Sequence, residues 1–153
     1  MEREELAELF QTYGTDVFRL AFSYLGSQAD AEDVCQSVFL KLAEGRQGPR
    51  PGKEKRWLLA CTANACKSHL RSFWYRSVGE LDEAALFQDG EDRAVVHLYY
   101  YEGYDQGEIG EILHISRTAV QTRMSRARAM LKKELNGDDG EEIPAYDGAG
   151  KHG

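Results

Sequence analysis

The sequence has no uninterrupted run of about 18 apolar residues, which is the length that a membrane-spanning helix requires. Its first residues, MEREELAEL, are acidic, whereas a secretory signal peptide begins with basic residues. The three cysteines, Cys35, Cys61 and Cys66, are odd in number and lack the CxxC spacing of zinc sites. We therefore predict a cytoplasmic protein without membrane insertion, whose cysteines are buried thiols.

Motifs of catalysis are also missing. The sequence contains no nucleophile paired with a base, no cluster of metal ligands and no phosphate-binding glycine loop. We predict no catalytic residue, no metal and no cofactor, and hence a protein that is not an enzyme. No segment alternates apolar and polar residues for long enough to form a strand, so the expected fold is all-α.

The net charge of −7 by itself argues against a nucleic-acid-binding protein, since affinity for a polyanion comes from basic surface. The charge is nevertheless divided into blocks of opposite sign. Residues 46–80 carry a net +6 and residues 112–135 a net +5, whereas residues 1–45, 81–111 and 136–153 carry −6, −8 and −4. This distribution predicts two DNA contacts and, between them, surfaces that bind something other than DNA.

Apolar residues recur at helical spacing in three segments of the first half of the chain. A first helix, ending near residue 25, has its stripe at Leu6, Leu9, Phe10, Tyr13, Val17, Leu20, Ala21 and Tyr24. Gly26 and Ser27 end it and begin a second helix, with a stripe at Ala31, Val34, Cys35, Val38, Phe39 and Leu42. After a loop of glycine and proline at 45–53, a third helix at about 54–73 turns these residues inward: Trp57, Leu58, Cys61 and Ala65.

Residues 105–135 are typical of a helix-turn-helix that reads DNA. Asp105 and Glu108 have the spacing of a capping box at the start of its first helix. Gly110 allows the second helix to approach closely. The turn is His114-Ile115-Ser116, with Ile115 directed into the core and Ser116 capping the second helix.

The second helix of this motif has two distinct faces. Its inward stripe is Val120, Met124, Ala127 and Leu131, and its outward face carries Thr118, Thr122, Ser125 and Arg126, flanked by Arg117, Gln121 and Arg128. Six bases lie on this helix, and Glu134 is its one acid before residue 136. A basic face is often merely solvated, but bases without acidic partners favour contact with DNA.

Three stretches together resemble the small sigma factors of bacterial RNA polymerase, the two-domain extracytoplasmic-function group of the sigma-70 family. They are DAEDVCQSVFLKL at 30–42, WLLACTANACKSHLR at 57–71 and YYYEGYDQGEIGEILHISRTAVQTRMSRAR at 99–128. The resemblance implies two small helical domains, the second a helix-turn-helix. Their expected extents are 1–76 and 91–135, with 77–90 as a short linker or truncated helix and 136–153 as a disordered acidic tail.

The resemblance also implies a role for residues at the matching positions. Contacts with the core polymerase, at the clamp helices of its largest subunit, would come from Asp30, Glu32, Asp33, Gln36 and Phe39. The −10 promoter element would be recognised and opened by Lys55, Arg56, Asn64, Lys67, Ser68 and Arg71. The −35 element would be read by Arg117, Thr118, Gln121, Thr122, Ser125 and Arg126. The polymerase flap would bind the second domain, and an anti-sigma factor is a further expected partner.

The expected function is therefore that of a promoter-specificity subunit, which joins RNA polymerase and directs initiation at −10 and −35 elements. Two alternatives stay open. One is a helix-turn-helix repressor that binds DNA without polymerase, although no additional apolar helix offers the dimer interface that two half-sites require. The other is a sigma-like interaction protein that binds polymerase or an anti-sigma partner without productive initiation, which the short 77–90 segment would favour.

Gln121 and Trp57 have two interpretations each, and the cost of His114 depends on its backbone conformation. Gln121 can bond adenine bidentately in a major groove, or it is an ordinary exposed residue. Trp57 belongs either to the core or to a platform on which an unpaired base stacks. His114 occupies a turn position where glycine is common, which costs little if its φ is negative.

Overall fold

A computed structural model describes residues 2–45, 48–76 and 83–139, and each regular element in those ranges is a helix. The all-α fold predicted from the sequence is confirmed. Contacts between Cα atoms divide the chain into two compact units, Met1–Gly90 and Glu91–Gly153.

The first unit contains three long helices that pack against one another: α1 (Arg3–Leu25), α2 (Gln28–Glu44) and α3 (Glu54–Arg76). Each helix contributes a stripe of fully or almost fully buried side chains to a shared core, because only one face of each is continuously apolar. The core consists mainly of Val17, Leu20, Ala21, Tyr24, Ala31, Val34, Val38, Leu42, Leu58, Leu59, Ala63 and Cys66.

The reversal between α1 and α2 is made by two residues. Gly26 ends α1 in the left-handed conformation, with φ 71°, and its N–H donates to the Phe22 carbonyl. Ser27 begins α2, and its hydroxyl accepts a hydrogen bond from the Asp30 N–H at 3.3 Å. The boundary predicted at Gly26 and Ser27 is confirmed, since Gly26 ends α1 and Ser27 caps the start of α2.

The buried stripe of α3 is displaced by one residue from the predicted one. Leu58 is buried as expected, but Trp57, Cys61 and Ala65 are only half-buried at the edge of the interface. The core instead receives the following residues: Leu59, Thr62, Ala63, Cys66 and Leu70. Residues 57–61 are all apolar, so periodicity alone could not choose between two neighbouring stripes. Thr62 is tolerated in the core because its hydroxyl donates to the Leu58 carbonyl at 2.7 Å.

The boundary between the two units falls within α4 (Glu83–Val96), so residues 83–90 of the predicted linker are helical. Residues 77–82 lie outside the described residues. In the second unit α4 continues into a π-helical turn (His97–Tyr101) and is followed by α5 (Gln106–Leu113) and α6 (Arg117–Asp139). The core of this unit consists of Ala94, Val95, Leu98, Tyr99, Ile109, Ile112, Leu113, Val120 and Met124.

The caps predicted for the helix-turn-helix are confirmed. The Asp105 carboxylate accepts a hydrogen bond from the Glu108 N–H at 2.8 Å, and the Asp105 N–H donates to Glu108 Oε1 at 3.1 Å. Ser116 caps α6, since its hydroxyl accepts a hydrogen bond from the Ala119 N–H at 3.0 Å. Ile115 between them is half-buried. Both ends of the turn are therefore held by local bonds.

The inward stripe of α6 is buried only in its first half. Val120 and Met124 are buried, Ala127 is half-buried, and Leu131 is 49% exposed beside the equally exposed Met130 and Leu135. The helix continues to Asp139, four residues into the predicted tail. Residues 140–153 lie outside the described residues. The second half of α6 therefore has the apolar spacing of a packed helix without being packed against the core of its unit.

His114 adopts the left-handed conformation, with φ 57° and ψ 46°, where it caps the end of α5. The condition under which histidine would cost little at this position, a negative φ, is therefore not met. A Cβ in this conformation crowds the following carbonyl oxygen, although histidine tolerates the region better than branched residues do.

Replacing His114 with glycine should therefore raise the free energy of unfolding by about 0.5–1 kcal/mol, because relief of the Cβ contact outweighs the greater entropy of glycine in the unfolded chain. Urea denaturation followed by circular dichroism measures the change. His114→Ala is the matched control, since it removes the ring but keeps the Cβ. Equal stabilities of the alanine and glycine variants would show that the backbone conformation is not the source of strain.

Candidate nucleic-acid interface

Helix α6 presents a narrow strip of small polar side chains to solvent. Thr118, Thr122 and Ser125 follow one another at spacings of four and three, and all three are exposed. The Thr122 hydroxyl donates to the Thr118 carbonyl at 3.0 Å, which holds its side chain against the helix. Because these side chains are short, the helix can approach a DNA groove closely while its hydroxyls meet base edges.

One flank of this strip consists of two arginines held by carboxylates of α4. Arg126 donates to both oxygens of Asp92, from Nε at 3.2 Å and from Nη2 at 2.9 Å. Arg123 Nε donates to Glu91 Oε1 at 2.9 Å, and Arg123 Nη2 lies 2.6 Å from the same oxygen in an ion pair. Glu91 and Asp92 are only 7% and 5% exposed, so these ion pairs fasten α6 to the core of the second unit.

These ion pairs correct the expectation that the bases of α6 lack acidic partners. That expectation considered acids within α6 alone, whereas the actual partners of Arg123 and Arg126 lie 32 and 34 residues earlier in the chain. A signal for them was present in the sequence. Glu91 and Asp92 lie just before Ala94 and Val95, which begin a buried apolar run, and a carboxylate that is buried with such a run is stabilised by a cationic partner.

The other flank of the strip is made by polar contacts with α5 and with the π-helical turn. The Gln121 amide Nε2 donates to Gln106 Oε1 at 3.1 Å. The Arg128 Nε donates to the Tyr100 hydroxyl at 3.0 Å, and its guanidinium carbon lies 6.0 Å from the centre of the Tyr100 ring. Both contacts restrict long side chains that would otherwise sample many rotamers.

The six residues predicted to read the −35 element fall into two groups in the structure. Five are exposed on the first half of α6: Arg117, Thr118, Gln121, Thr122 and Ser125. Arg126 is half-buried and bonded to Asp92. The structure thus brings all six to one helix, and their contact with DNA stays a prediction.

A second polar strip lies on α3 in the first unit. Asn64, Ser68 and Arg71 follow one another at spacings of four and three, and all three are exposed. The remaining predicted −10 residues are half-buried on the same helix: Lys55, Arg56 and Lys67. An amide, a hydroxyl and a guanidinium on one exposed line can bond unpaired bases and the strand backbone, so Asn64, Ser68 and Arg71 have the chemistry of a surface for single-stranded DNA.

Trp57 is neither fully buried nor fully open. The half-buried indole lines a groove of about 480 Å³ together with the α2 residues Val38, Lys41 and Leu42. The side chain therefore lies near α2 and is partly accessible to solvent. Both interpretations of Trp57 remain open.

The predicted polymerase contacts lie on α2, and most of them are accessible. Glu32, Asp33 and Gln36 are exposed. Asp30 is half-buried, and its carboxylate Oδ1 lies 3.1 Å from His69 Nε2 of α3. These residues give the outer face of α2 a negative charge that no basic residue of its first two turns offsets.

Phe39 does not belong to this exposed face. It is 7% exposed, and its ring packs edge-on against Phe10, with ring centres 5.1 Å apart. The place of Phe39 in the inward stripe is confirmed, while its contact with polymerase stays a prediction, for which its burial against α1 leaves little accessible area. Leu40 is the apolar residue that the outer face presents, with 60% of it exposed between Asp33 and Gln36 on the helical wheel. The sequence analysis missed Leu40, although its four-residue spacing from Gln36 places it there.

The thiols lie in or beside the core of the first unit. Cys66 is buried, and burial raises the pKa of its thiol, so the thiolate is disfavoured. Burial also raises the pKa of Cys35 and of Cys61, although the positive charge of Lys41 partly offsets the effect at Cys61. In the part of the chain that the structure describes, no group of histidine, cysteine or acidic side chains is placed to hold a metal ion. The same residues include no helix that is both long and apolar enough to cross a membrane.

The geometry of the second unit defines the chain as a helix-turn-helix protein with an additional three-helix unit. Comparison with known families is more specific. Residues 9–75 match the family model of sigma-70 region 2, and residues 90–131 match that of sigma-70 region 4. The chain belongs to the sigma-70 family of RNA polymerase sigma factors, in its extracytoplasmic-function group.

Two curated relatives are similar to this chain over most of its length. The ECF RNA polymerase sigma factor SigE of Mycolicibacterium smegmatis is 27% identical over 84% of this chain and 60% of its own length. The probable RNA polymerase sigma factor RfaY of Xanthomonas campestris pv. campestris is 28% identical over 78% of this chain and 37% of its own length. The chain thus spans less than two thirds of these relatives.

A solved structure has the same fold. It is the sigma factor RpoE of Bartonella quintana, crystallised in complex with the anti-sigma factor NepR. The TM-score is 0.64 at 20% sequence identity, and the match covers 89% of this chain and 99% of that one.

Proposed function

We propose that this protein is a promoter-specificity subunit of RNA polymerase, which binds the core enzyme and directs initiation at promoters with −10 and −35 elements. The observation that carries the proposal is the presence of two different polar strips, on α3 and on α6, in a chain that also exposes an acidic helix face. The role is one of binding and not of catalysis. Since its proposed partners, RNA polymerase and promoter DNA, are in the cytoplasm, the protein acts there as well.

In this proposal the −35 element meets the exposed strip of α6. Thr118, Thr122 and Ser125 face the base edges, with Arg117 at the start of the helix near the phosphates. Gln121 reads a base from the flank of the strip. Arg126 contacts DNA from the position in which Asp92 holds it, so its approach to a base or phosphate is restricted.

The −10 element meets the strip of α3. Opening a duplex requires that bases leave the stack and bind to a protein surface while basic groups hold the backbone. Asn64 and Ser68 supply the polar contacts for such bases, and Arg71, Lys67, Arg56 and Lys55 supply positive charge along the same helix. Trp57 adds a partly open ring beside α2.

The core polymerase meets the outer face of α2, at the clamp helices of its largest subunit. The contact residues are the acids Asp30, Glu32 and Asp33 together with Gln36 and Phe39, and Leu40 supplies the exposed apolar area. A few acids around one exposed leucine form the mixture of apolar anchor and charged rim that is common in protein interfaces. The polymerase flap binds the second unit, and an anti-sigma factor is a further partner, as in the solved complex of the related fold.

Run-off transcription with purified core polymerase tests the proposal, with the upstream region of the protein's own gene as template. We expect a defined transcript only when core enzyme and this protein are both present. Tight, sequence-specific binding to duplex by the free protein, without any transcript, would favour the repressor alternative. Stable binding to core without a transcript on any promoter would favour the sigma-like interaction protein.

The polymerase surface can be tested by charge reversal. The double variant Asp33→Lys with Gln36→Ala should bind core polymerase at least about tenfold more weakly, because a basic residue replaces an acid at the centre of the contact. The equilibrium dissociation constant is measured by fluorescence anisotropy of labelled protein. The thermal melt should not change, since both side chains are exposed.

Glu8→Lys with Gln11→Ala is the matched control, because it makes the same type of change at the same spacing on the exposed face of α1. It should bind core polymerase as the unchanged protein does. Equal weakening by both double variants would indicate a general charge effect and would remove the assignment of α2 as the polymerase surface.

A further inference from the structure

The hydrogen bond between Gln106 and Gln121 joins the two helices of the helix-turn-helix at its exposed edge. Gln121 Nε2 donates to Gln106 Oε1 at 3.1 Å, across 15 residues of sequence. Gln106 is the first residue of α5, directly after the Asp105 cap that exchanges two bonds with Glu108. The backbone that carries Gln106 is therefore held firmly, while Gln121 extends from the exposed flank of α6.

The bond couples the orientation of the Gln121 amide to that of Gln106. Only the Gln121 NH₂ group can donate to Gln106 Oε1, so the Gln121 amide cannot turn by 180° unless the Gln106 amide turns with it. The amide then keeps one N–H and its carbonyl oxygen for another partner. One donor and one acceptor side by side match adenine, whose major-groove edge offers N7 as acceptor and the N6 amine as donor.

Guanine does not match this arrangement. Its major-groove edge presents two acceptors, N7 and O6, so the Gln121 carbonyl would face a second acceptor. A freely turning amide can adjust to several bases, whereas an amide bonded to Gln106 can turn only together with the Gln106 amide. The Gln106 NH₂ group has no part in the bond to Gln121, and it suits a neighbouring phosphate oxygen.

We propose that Gln106 is a positioning and specificity-determining residue of the −35 reader, because it restrains the Gln121 amide to the orientation that selects adenine. The inference rests on the proposed function, since it presumes that α6 reads a −35 element. It adds a residue of α5 to those of α6, the recognition helix, that determine promoter preference.

The experiment uses full-length protein bound to core polymerase and a promoter library randomised across the −35 element. Bound sequences are recovered and counted for the unchanged protein and for the variants Gln106→Ala, Gln121→Ala and the double variant. We expect an adenine preference at one position, reduced about tenfold in either single variant. The adenine preference of the double variant should be no lower than that of either single variant, because both changes disable the same pair of hydrogen-bonded residues.

Two further variants separate positioning from a general effect. Gln106→Glu keeps an oxygen that accepts from Gln121 but removes the NH₂ group and adds negative charge. This variant should keep the adenine preference but bind all promoter sequences more weakly, and to the same extent. Gln11→Ala truncates an exposed glutamine of the first unit, and it should change neither preference nor affinity.

Loss of the adenine preference in Gln121→Ala with an intact preference in Gln106→Ala would overturn this inference alone. If the losses of adenine preference in the two single variants add up in the double variant, the inference is also overturned, because additive effects indicate that the two residues act independently. A −35 preference in the unchanged protein for a base other than adenine at this position would also overturn it. If the unchanged protein shows no −35 preference at all, the proposed function fails together with the inference.

Discussion

Replacing Gly110 with alanine should lower the free energy of unfolding of the second unit by about 2–3 kcal/mol. An alanine Cβ at this position would lie 2.7 Å from the Ile115 carbonyl oxygen, closer than such atoms approach in folded proteins. That oxygen cannot move away easily, because the Ile115 N–H donates to the Gly110 carbonyl at 2.9 Å. The turn between α5 and α6 would have to open, and the two helices would separate at the start of the recognition helix.

Gly107→Ala is the matched control on the same helix. Its added Cβ meets no atom nearer than Asp105 Oδ1 at 3.4 Å. The gain in helix propensity should therefore leave its stability unchanged or raise it by up to about 1 kcal/mol. Urea denaturation followed by circular dichroism measures both variants, and hydrogen exchange of the α5 and α6 amides locates the change. Equal stabilities of the two variants would show that the turn can relax around a methyl group.

Replacing Arg126 with alanine should also cost about 2–3 kcal/mol of stability, more than the removal of its partner does. The Asp92 side chain is only 7% exposed, so without Arg126 a carboxylate stays inside the protein with its main cation gone. Asp92→Ala leaves Arg126 instead, whose side chain is 37% exposed and can turn toward water. That variant should lose only about 1 kcal/mol.

Arg117→Ala serves as the control for this asymmetry, since Arg117 is exposed in the first turn of the same helix and should change stability by less than about 0.5 kcal/mol. The double variant Arg126→Met with Asp92→Leu should recover most of the lost stability, because an apolar pair replaces the ion pair. Equal destabilisation by Arg126→Ala and Asp92→Ala would contradict the argument from burial. A loss of promoter binding in Arg126→Ala could therefore come from lower stability or from a lost DNA contact. The double variant Arg126→Met with Asp92→Leu separates the two causes, because it lacks the arginine but keeps the stability.

The helix boundaries of this protein followed from local chemistry. Gly26 and Ser27, the Asp105 and Glu108 capping box and the Ser116 cap each act within four residues of sequence, and the structure contains every one of these bonds. Such signals do not depend on what packs against the helix. The family motifs in the two halves of the chain were readable for a similar reason, since each is a continuous stretch of sequence.

The assignment of apolar residues to the core was less certain, because neighbouring positions on a helix are equally apolar. In α3 the buried stripe runs through Leu59 and Cys66 where Cys61 and Ala65 were expected. In α2, by contrast, Phe39 packs on α1 as its place in the predicted stripe indicates, and Leu40 faces solvent. Spacing shows that a helix has an apolar face, but the partner helix decides which of two adjacent residues lies at its centre.

The all-α fold, the capped ends of the helices, the helix-turn-helix and the residues of α6 could all be predicted from the sequence. How α6 is held could not, because its partners lie on other helices. Arg123 and Arg126 find their carboxylates on α4, and Gln121 finds its amide partner on α5, at separations of 15 to 34 residues. Interactions at this range depend on where packing places whole helices, and no periodicity in the chain records it.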